Sequence, residues 1–244
     1  MCDLFVHHIT PLAPQHLLVE AEFQSLGEIS LAHHGVLFLD ELPEFNRSAL
    51  ESLRTPLEDR MVTISRANCT LSYPSNFMLI ASMNPCPCGY YGSKDKECSC
   101  SETAIEKYIN KISGPLLDRI DIHIEVPEVK YENLENTFPS ESSTEIKKRV
   151  NNAREIQRKR YLNHNIFSNS ELSPNLLDEY CKLDTQSKEL MKKAFDKLGL
   201  SARAYGKILK VARTIADLDS SENIQKIHIA EAIQYRSLDR KYWK

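Results

Sequence analysis

Two adjacent acidic residues close a short apolar run. Residues 36–39, Val-Leu-Phe-Leu, lead directly into Asp40 and Glu41. An unbroken apolar run of this length is typical of a strand buried on both faces of a parallel sheet, and ligands bind beyond the carboxyl ends of such strands. Paired carboxylates there suit metal-assisted phosphoryl transfer, in which one acid holds hydrated Mg²⁺ and the other orients water. The same pair can simply end a strand, so the motif alone leaves both interpretations open.

A second apolar run ends in an amide. Residues 77–84, FMLIASMN, predict another buried strand, which ends at Asn84. Parallel strands end at the same edge of a sheet, so Asp40, Glu41 and Asn84 are predicted to share one edge. An amide there can orient a water against a phosphate, or it can merely form a turn before Pro85.

Four of the seven cysteines lie just beyond Asn84, at Cys86, Cys88, Cys98 and Cys100. Thiolates two residues apart in an extended segment point the same way, so two such pairs can supply four sulfurs to a tetrahedral Zn²⁺. The C-x-C spacing is less diagnostic than C-x-x-C, and unligated thiols remain the alternative. The odd cysteine total and an N-terminus without a secretion signal favour a reducing cytoplasm over disulfides.

Two arginines occupy unusual positions. Arg119 precedes residues 120–126, IDIHIEV, whose alternation predicts a strand. It either presents a charge at a domain edge or forms an ion pair with Asp118 or Asp121. Arg203 lies in the first turn of a helix that Ser201 is predicted to cap, where the helix dipole disfavours a cation. Such a local violation is expected where a residue serves a ligand.

The remaining pattern predicts an α/β region followed by helices. A helix begins at Asn46 and is disturbed by Pro56, and residues 62–75 predict a β-hairpin with Arg66 near its tip. Arg66 either contacts nucleic acid or stays solvated. Residues 128–142 have a linker composition.

The first helix beyond that linker carries seven basic residues that either meet DNA phosphates or form a solvated face: Lys147, Lys148, Arg149, Arg154, Arg158, Lys159 and Arg160. The chain of 244 residues is 41% apolar and 27% charged, which is ordinary for a globular protein. Its net charge of −3 does not by itself indicate a nucleic-acid binder. No apolar run approaches the length of a membrane span.

Five segments together resemble the magnesium-chelatase-like AAA+ ATPases of the ComM/YifB competence-protein type. They are GEISLAHHGVLFLDELPEF, PLEDRMVTISRA, ASMNPCPCGYYG, SGPLLDRIDIHIEVP and LSARAYGKILKVARTIADL. The resemblance implies an α/β fold, a partial AAA+ P-loop NTPase core with a parallel sheet, helices and a β-hairpin, followed by an all-helical C-terminal lid. The implied domains are residues 1–130 for the core, 131–142 for the linker and 143–244 for the lid.

The resemblance also implies roles for the residues. Asp40 and Glu41 match the Walker B acids, Asn84 matches sensor 1, Arg119 matches the arginine finger and Arg203 matches the sensor-2 arginine of the lid. The cysteine loop is similar to one in the family that suits zinc. The implied cofactors are ATP, Mg²⁺ and a structural Zn²⁺. The implied partners are further copies of the chain in a hexameric ring and DNA undergoing branch migration during transformation, with no membrane.

One family motif is missing. The phosphate loop G-x-x-x-x-G-K-[ST] does not occur, and Gly206-Lys207 is followed by Ile208 inside a helical pattern. Without that loop, no backbone N–H groups or lysine cradle the phosphates. We therefore expect a C-terminal part of the ATPase, or a degenerate copy, that is inactive in hydrolysis when isolated. The alternatives are a non-catalytic assembly or DNA-contact protein, and a metal-chelatase motor subunit.

Overall fold

The computed structural model of the chain describes residues 6–9, 27–66, 69–127 and 141–236, with side chains from residues 27–64, 70–127 and 141–236. The chain divides into two compact units between Ile120 and Asp121. The predicted linker, residues 131–142, lies almost entirely outside the described residues. The predicted domain bounds therefore stay a prediction.

The first unit contains two sheets in its described part. A parallel sheet has the strand order β1-β2-β5, and a separate antiparallel hairpin pairs β3 with β4. The strands are β1 (Val6–Ile9), β2 (Val36–Leu39), β3 (Met61–Arg66), β4 (Cys69–Pro74) and β5 (Met78–Ala81). The predicted apolar strand before Asp40 and the predicted hairpin are both confirmed, although the Arg66 side chain lies outside the described ones.

The central and outer strands of the parallel sheet differ in burial. Leu37 and Leu39 of β2 are fully buried in the core of the unit. In β5, Leu79 packs against that core while Met78 and Ile80 are 60% and 44% exposed. The prediction that residues 77–84 form a strand buried on both faces is wrong for this reason. Strand β5 is an edge strand of the described sheet, and its alternate side chains face away from the core.

Short helices complete the first unit. They are α1 (Glu28–Leu31), α2 (Arg47–Ser52), α3 (Arg54–Asp59), α4 (Glu102–Ile109) and α5 (Gly114–Leu117), with a 3₁₀ turn at Leu42–Glu44.

Asn46 caps the first of the two helices that follow the 3₁₀ turn. Its side-chain oxygen accepts from the Ala49 N–H at 2.7 Å, as predicted. The predicted single helix is divided at Leu53, because Pro56 has no N–H to donate to the carbonyl of Ser52. Pro56 instead occupies the first turn of α3, where a missing N–H is tolerated.

The second unit is helical beyond residue 141. Its described helices are α6 (Ser143–Arg160), α7 (Pro174–Tyr180), α8 (Thr185–Leu198), α9 (Ala202–Leu218) and α10 (Lys226–Gln234), with a 3₁₀ turn at Asn169–Glu171. Helix α9 packs against α6 and α10 and supplies much of the core. The α/β fold with a helical C-terminal region is thus confirmed. Helix α8 ends at Gly199, whose φ of +61° lies in the left-handed region.

The alternating segment after Arg119 is not a strand. Residues 121–127 are not in a strand, and the His123 N–H donates to the Tyr235 carbonyl at 2.9 Å. The prediction of a strand there is wrong because alternation specifies a face and cannot supply the neighbouring strand that the ladder needs.

A buried polar network ties the helices of the second unit together. Asp217 is fully buried and accepts from Arg160 on both carboxylate oxygens, from Arg213 Nε at 3.2 Å and from Asn169 Nδ2 at 2.8 Å. Tyr161 donates its hydroxyl to Asn169 Oδ1 at 2.6 Å. The network therefore connects α6, the 3₁₀ turn and α9 through one carboxylate.

Candidate nucleotide and metal sites

The acid pair lies at the carboxyl end of the parallel sheet. Leu39 pairs with Ala81, so the residues that follow, Asp40 and Ser82, are neighbours. Asp40 Oδ1 accepts from the Ser82 hydroxyl and from the Glu41 N–H, the latter at 3.1 Å. Both contacts use one oxygen of the Asp40 carboxylate. Among the described residues, Oδ2 has no hydrogen bond and can coordinate a cation.

Glu41 has a strained backbone. Its φ and ψ of 51° and 49° are left-handed, a conformation that costs a non-glycine residue about 1–2 kcal/mol. The Glu41 N–H also approaches Ser82 Oγ at 3.4 Å, and the Leu42 N–H donates to the Ser82 carbonyl at 2.9 Å. These contacts with the end of β5 hold the turn, and the Glu41 carboxylate is exposed beyond it. Strained backbone conformations of this kind are more common at functional sites than elsewhere.

Asn84 lies two residues beyond Ser82 at the same end of the sheet, and its side chain is exposed. The buried Tyr108 of α4 lies near its backbone N–H. Burial is the main reason that the pKa of Tyr108 is raised, and the negative charges of Glu44 and Glu41 raise it further. The Tyr108 hydroxyl therefore stays protonated near neutral pH.

The four predicted cysteines converge. The sulfurs of Cys86, Cys88, Cys98 and Cys100 all lie within 4.8 Å of one another. The Cys86–Cys88, Cys88–Cys98 and Cys86–Cys98 sulfur separations are 3.4, 3.5 and 3.7 Å. A tetrahedral zinc with Zn–S bonds of about 2.3 Å needs sulfurs about 3.8 Å apart. The donor set and its spacing therefore fit a closed four-thiolate zinc site.

The thiols of this cluster differ in acidity. The pKa of Cys88 is lowered to about 5. The largest cause is a hydrogen bond from the backbone at Tyr90, and the neighbouring thiols lower the pKa further. At Cys98, a backbone hydrogen bond at Cys100 lowers the pKa. Burial and the other thiols outweigh this effect and raise the pKa of Cys98 to about 12. Burial also raises the pKa of Cys100. The Cys88 thiolate is thus available near neutral pH, and a cation that binds the cluster displaces the protons of Cys98 and Cys100.

Arg119 is held within the first unit. Its Nε donates to the Arg54 carbonyl at 3.0 Å, its Nη1 donates to the Pro115 carbonyl at 2.8 Å, and its Nη2 forms an ion pair with Glu58. The sequence suggested an ion pair of Arg119 with Asp118 or Asp121 as the alternative to a charge presented at a domain edge. The acidic partner in the described structure is Glu58. These contacts fasten α5 to α3.

Arg203 is exposed in the first turn of α9, in the second unit. Ser201 caps that helix as predicted, with its Oγ accepting from the Ala204 N–H at 3.1 Å. The acids belong to the first unit, so a shared site for Arg203 and the acids stays a prediction.

Two family comparisons cover almost the whole chain. The magnesium chelatase subunit ChlI family matches residues 7–134, and the ChlI C-terminal family matches residues 140–236. The chain belongs to the magnesium-chelatase-like family.

Within that family the chain is of the ComM/YifB type. Over 215 residues it is 46% identical to competence protein ComM of Haemophilus influenzae, 45% identical to YifB of Escherichia coli and 42% identical to YifB of Salmonella typhimurium. Each alignment covers 88% of this chain and 41% of the relative. The chain thus spans less than half the length of these curated relatives. No described helix is both long and apolar enough to cross a membrane.

Sequence reasoning missed two contributors to the site, Ser82 and Tyr108. A signal for Ser82 existed, because it directly follows β5 as Asp40 follows β2, and parallel pairing sets such residues side by side. The residues around Tyr108 gave no signal of its place near Asn84. Its meeting with Asn84 depends on how the cysteine loop returns the chain to the sheet.

Proposed function

We propose that this chain is the C-terminal portion of an ATPase that forms a hexameric ring and moves on DNA. The observation that carries the proposal is the Asp40 carboxylate, oriented through Oδ1 at the end of a parallel strand beside an exposed Glu41. Membership of the magnesium-chelatase-like family supports ATP and Mg²⁺ as its ligands. The name of the Haemophilus relative, a competence protein, supports DNA as the partner.

The proposed chemistry divides among the residues of one sheet edge. Bound Mg²⁺–ATP supplies the electrophilic phosphorus and neutralises charge on its oxygens. Asp40 would hold the hydrated cation, with the Ser82 hydroxyl fixing the carboxylate through Oδ1. Glu41 would orient the attacking water, and Asn84 would position that water against the phosphate.

The phosphate cradle must come from outside this sequence. The upstream portion of the longer protein would supply the loop that G-x-x-x-x-G-K-[ST] describes. Arg119 would exchange Glu58 for the nucleotide of a neighbouring subunit, and Arg203 would contact the nucleotide of its own subunit. The four cysteines would hold a structural Zn²⁺ that joins the end of β5 to the start of α4.

The test joins the part of Haemophilus ComM that precedes the matched region to this chain and measures steady-state ATP hydrolysis. We expect hydrolysis by the chimera and none by the isolated chain. Glu41→Gln should reduce turnover by about 10²-fold or more while ATP binding persists, because the water loses its orienting base. Glu44→Gln is the matched control: its carboxylate, three residues away, pairs at 3.5 Å with Lys111.

A non-catalytic assembly protein is the second candidate, and the missing phosphate loop favours it. It predicts no ATP binding by the chimera and no difference between Glu41→Gln and Glu44→Gln. Measurable turnover that is equally fast in the Glu41→Gln chimera would refute the catalytic proposal.

A further inference from the structure

Among the described residues, helix α6 packs against its unit through its second half. Ala153 and Gln157 are buried, Arg160 binds the buried Asp217, and the Gln157 side chain accepts from the Asn169 N–H at 3.2 Å. By contrast, residues 141–152 are all exposed. The first half of α6 therefore stands out from the described part of the second unit.

Local contacts rather than burial keep this half helical. The Ser142 Oγ accepts from the Glu145 N–H at 3.3 Å, and the Glu145 carboxylate accepts from the Ser142 N–H at 3.0 Å, which completes a capping box. Glu141 and Arg149 form an ion pair with one contact at 3.0 Å. The two acids nearest the start of the helix are thus used to secure it, and neither of them forms an ion pair with Lys147 or Arg154 among the described residues.

One face of the helix is basic along its length. Lys147, Asn151, Arg154 and Arg158 follow one another at intervals of four, three and four residues, so they form a line along one side. All four are exposed. We call this line the basic face. At 1.5 Å per residue it spans about 16 Å, enough to meet several successive phosphates of one strand.

No acidic residue lies on the basic face. Arg158 pairs at 2.8 Å with Glu155, which lies on the adjacent side of the helix. Lys147 and Arg154 have no ion partner among the described residues. The charge of this face therefore differs in sign from the net charge of −3 of the chain.

A membrane surface fits the helix less well than a polyanion does. An interfacial helix needs a broad apolar face rich in large or aromatic residues. The exposed apolar residues of this half are Ile146 and Val150, each 42% exposed, and they continue the side on which Ala153 is buried. Two aliphatic side chains offer little area for lipid.

We propose that the basic face of α6 is the docking surface for the phosphate backbone of DNA. This inference rests on the DNA partner of the proposed function and identifies where in the chain that contact is made. Phosphate contacts by Lys and Arg fix position without reading sequence, which suits a protein that moves along DNA.

The experiment compares two double variants of the full 244-residue chain. Lys147→Glu with Arg154→Glu reverses the basic face. Lys188→Glu with Lys192→Glu is the matched control, since these exposed lysines lie four residues apart on α8 of the same unit. Both variants change net charge equally, and circular dichroism confirms that both keep their helices. Binding to a labelled duplex of mixed sequence is measured by fluorescence anisotropy across a salt titration.

We expect the α6 variant to have a Kd for DNA at least about tenfold higher at 0.1 M salt, whereas the Kd of the control variant should rise less than about twofold. The slope of log K against log salt concentration should fall by about two for the α6 variant. Equal weakening by both variants, or no weakening by either, overturns the α6 assignment and leaves the DNA partner standing. Absence of DNA binding by the unaltered chain overturns both. Selective loss of binding to phosphatidylserine vesicles, or of self-association in sedimentation, with DNA binding unchanged, also overturns it.

Discussion

Replacing Asp217 by Asn should be among the most destabilising single changes in the second unit. Asn has nearly the same size, so packing is kept while the negative charge is lost. Arg213 and Arg160, whose side chains are 3% and 14% exposed, then remain as buried cations without their common partner. Removing one member of a buried charged group costs about 3–5 kcal/mol. Over a unit of this size, the loss lowers Tm by about 10–20 °C.

The effect of this network on its arginines supports that expectation. Burial alone would lower the pKa of Arg160, but the hydrogen bonds and charge of Asp217 raise it above its usual value. Burial lowers the pKa of Arg213 despite the same carboxylate. Asp217 therefore stabilises two guanidinium groups that the interior disfavours.

Calorimetry and urea unfolding measure the loss, with Asp178→Asn as the matched control. Asp178 is exposed on α7 in the same unit, and its change should stay within about 0.5 kcal/mol. A double-mutant cycle with Arg160→Met should give a coupling of about 1–3 kcal/mol. A loss below about 1 kcal/mol for Asp217→Asn would refute the view that this carboxylate holds the helices together.

Two further predictions concern the cysteines and Tyr161. The chain purified without chelator should carry about one zinc ion per molecule. The double variant Cys86→Ser with Cys100→Ser should release the zinc and speed hydrogen exchange in residues 85–101. Unchanged hydrogen exchange in the metal-free chain would contradict this prediction. Burial raises the pKa of Tyr161 to about 12, above its unfolded value of about 10, so its stabilising contribution is complete below pH 10 and is lost as pH rises through that interval. In denaturant titrations Tyr161→Phe should flatten this alkaline decline, and an unaltered slope would count against the assignment.

Local signals predicted much of the fold. The apolar run of β2, the cap at Asn46 and the cap at Ser201 each depend on a few neighbouring residues, and all three appear in the structure. Strand β1 could not be predicted in this way. Its sequence, VHHI, has no apolar run, and its strand character depends on parallel pairing with Val36–Leu39 about thirty residues away.

The candidate site shows the same difference between features set by neighbouring residues and features set by distant contacts. Asp40 and Asn84 could be placed at one sheet edge because each follows an apolar strand within a few residues, and strand direction then sets their position. The convergence of the cysteines could be predicted only as one of two alternatives, since C-x-C spacing does not fix how the intervening loop folds. The ion pair of Arg119 with Glu58 was beyond prediction because it depends on how α5 lies against α3.

The exposed edge strand β5 has a consequence for handling the chain alone. On the side away from β2, its backbone N–H and C=O groups have no strand partner among the described residues, and Met78 and Ile80 stand beside them in water. An apolar, uncharged edge of this kind is a template for strands of other molecules. Concentrated solutions of the chain will therefore tend to aggregate by strand pairing at this edge, and yield will depend on how dilute the chain is kept while it folds.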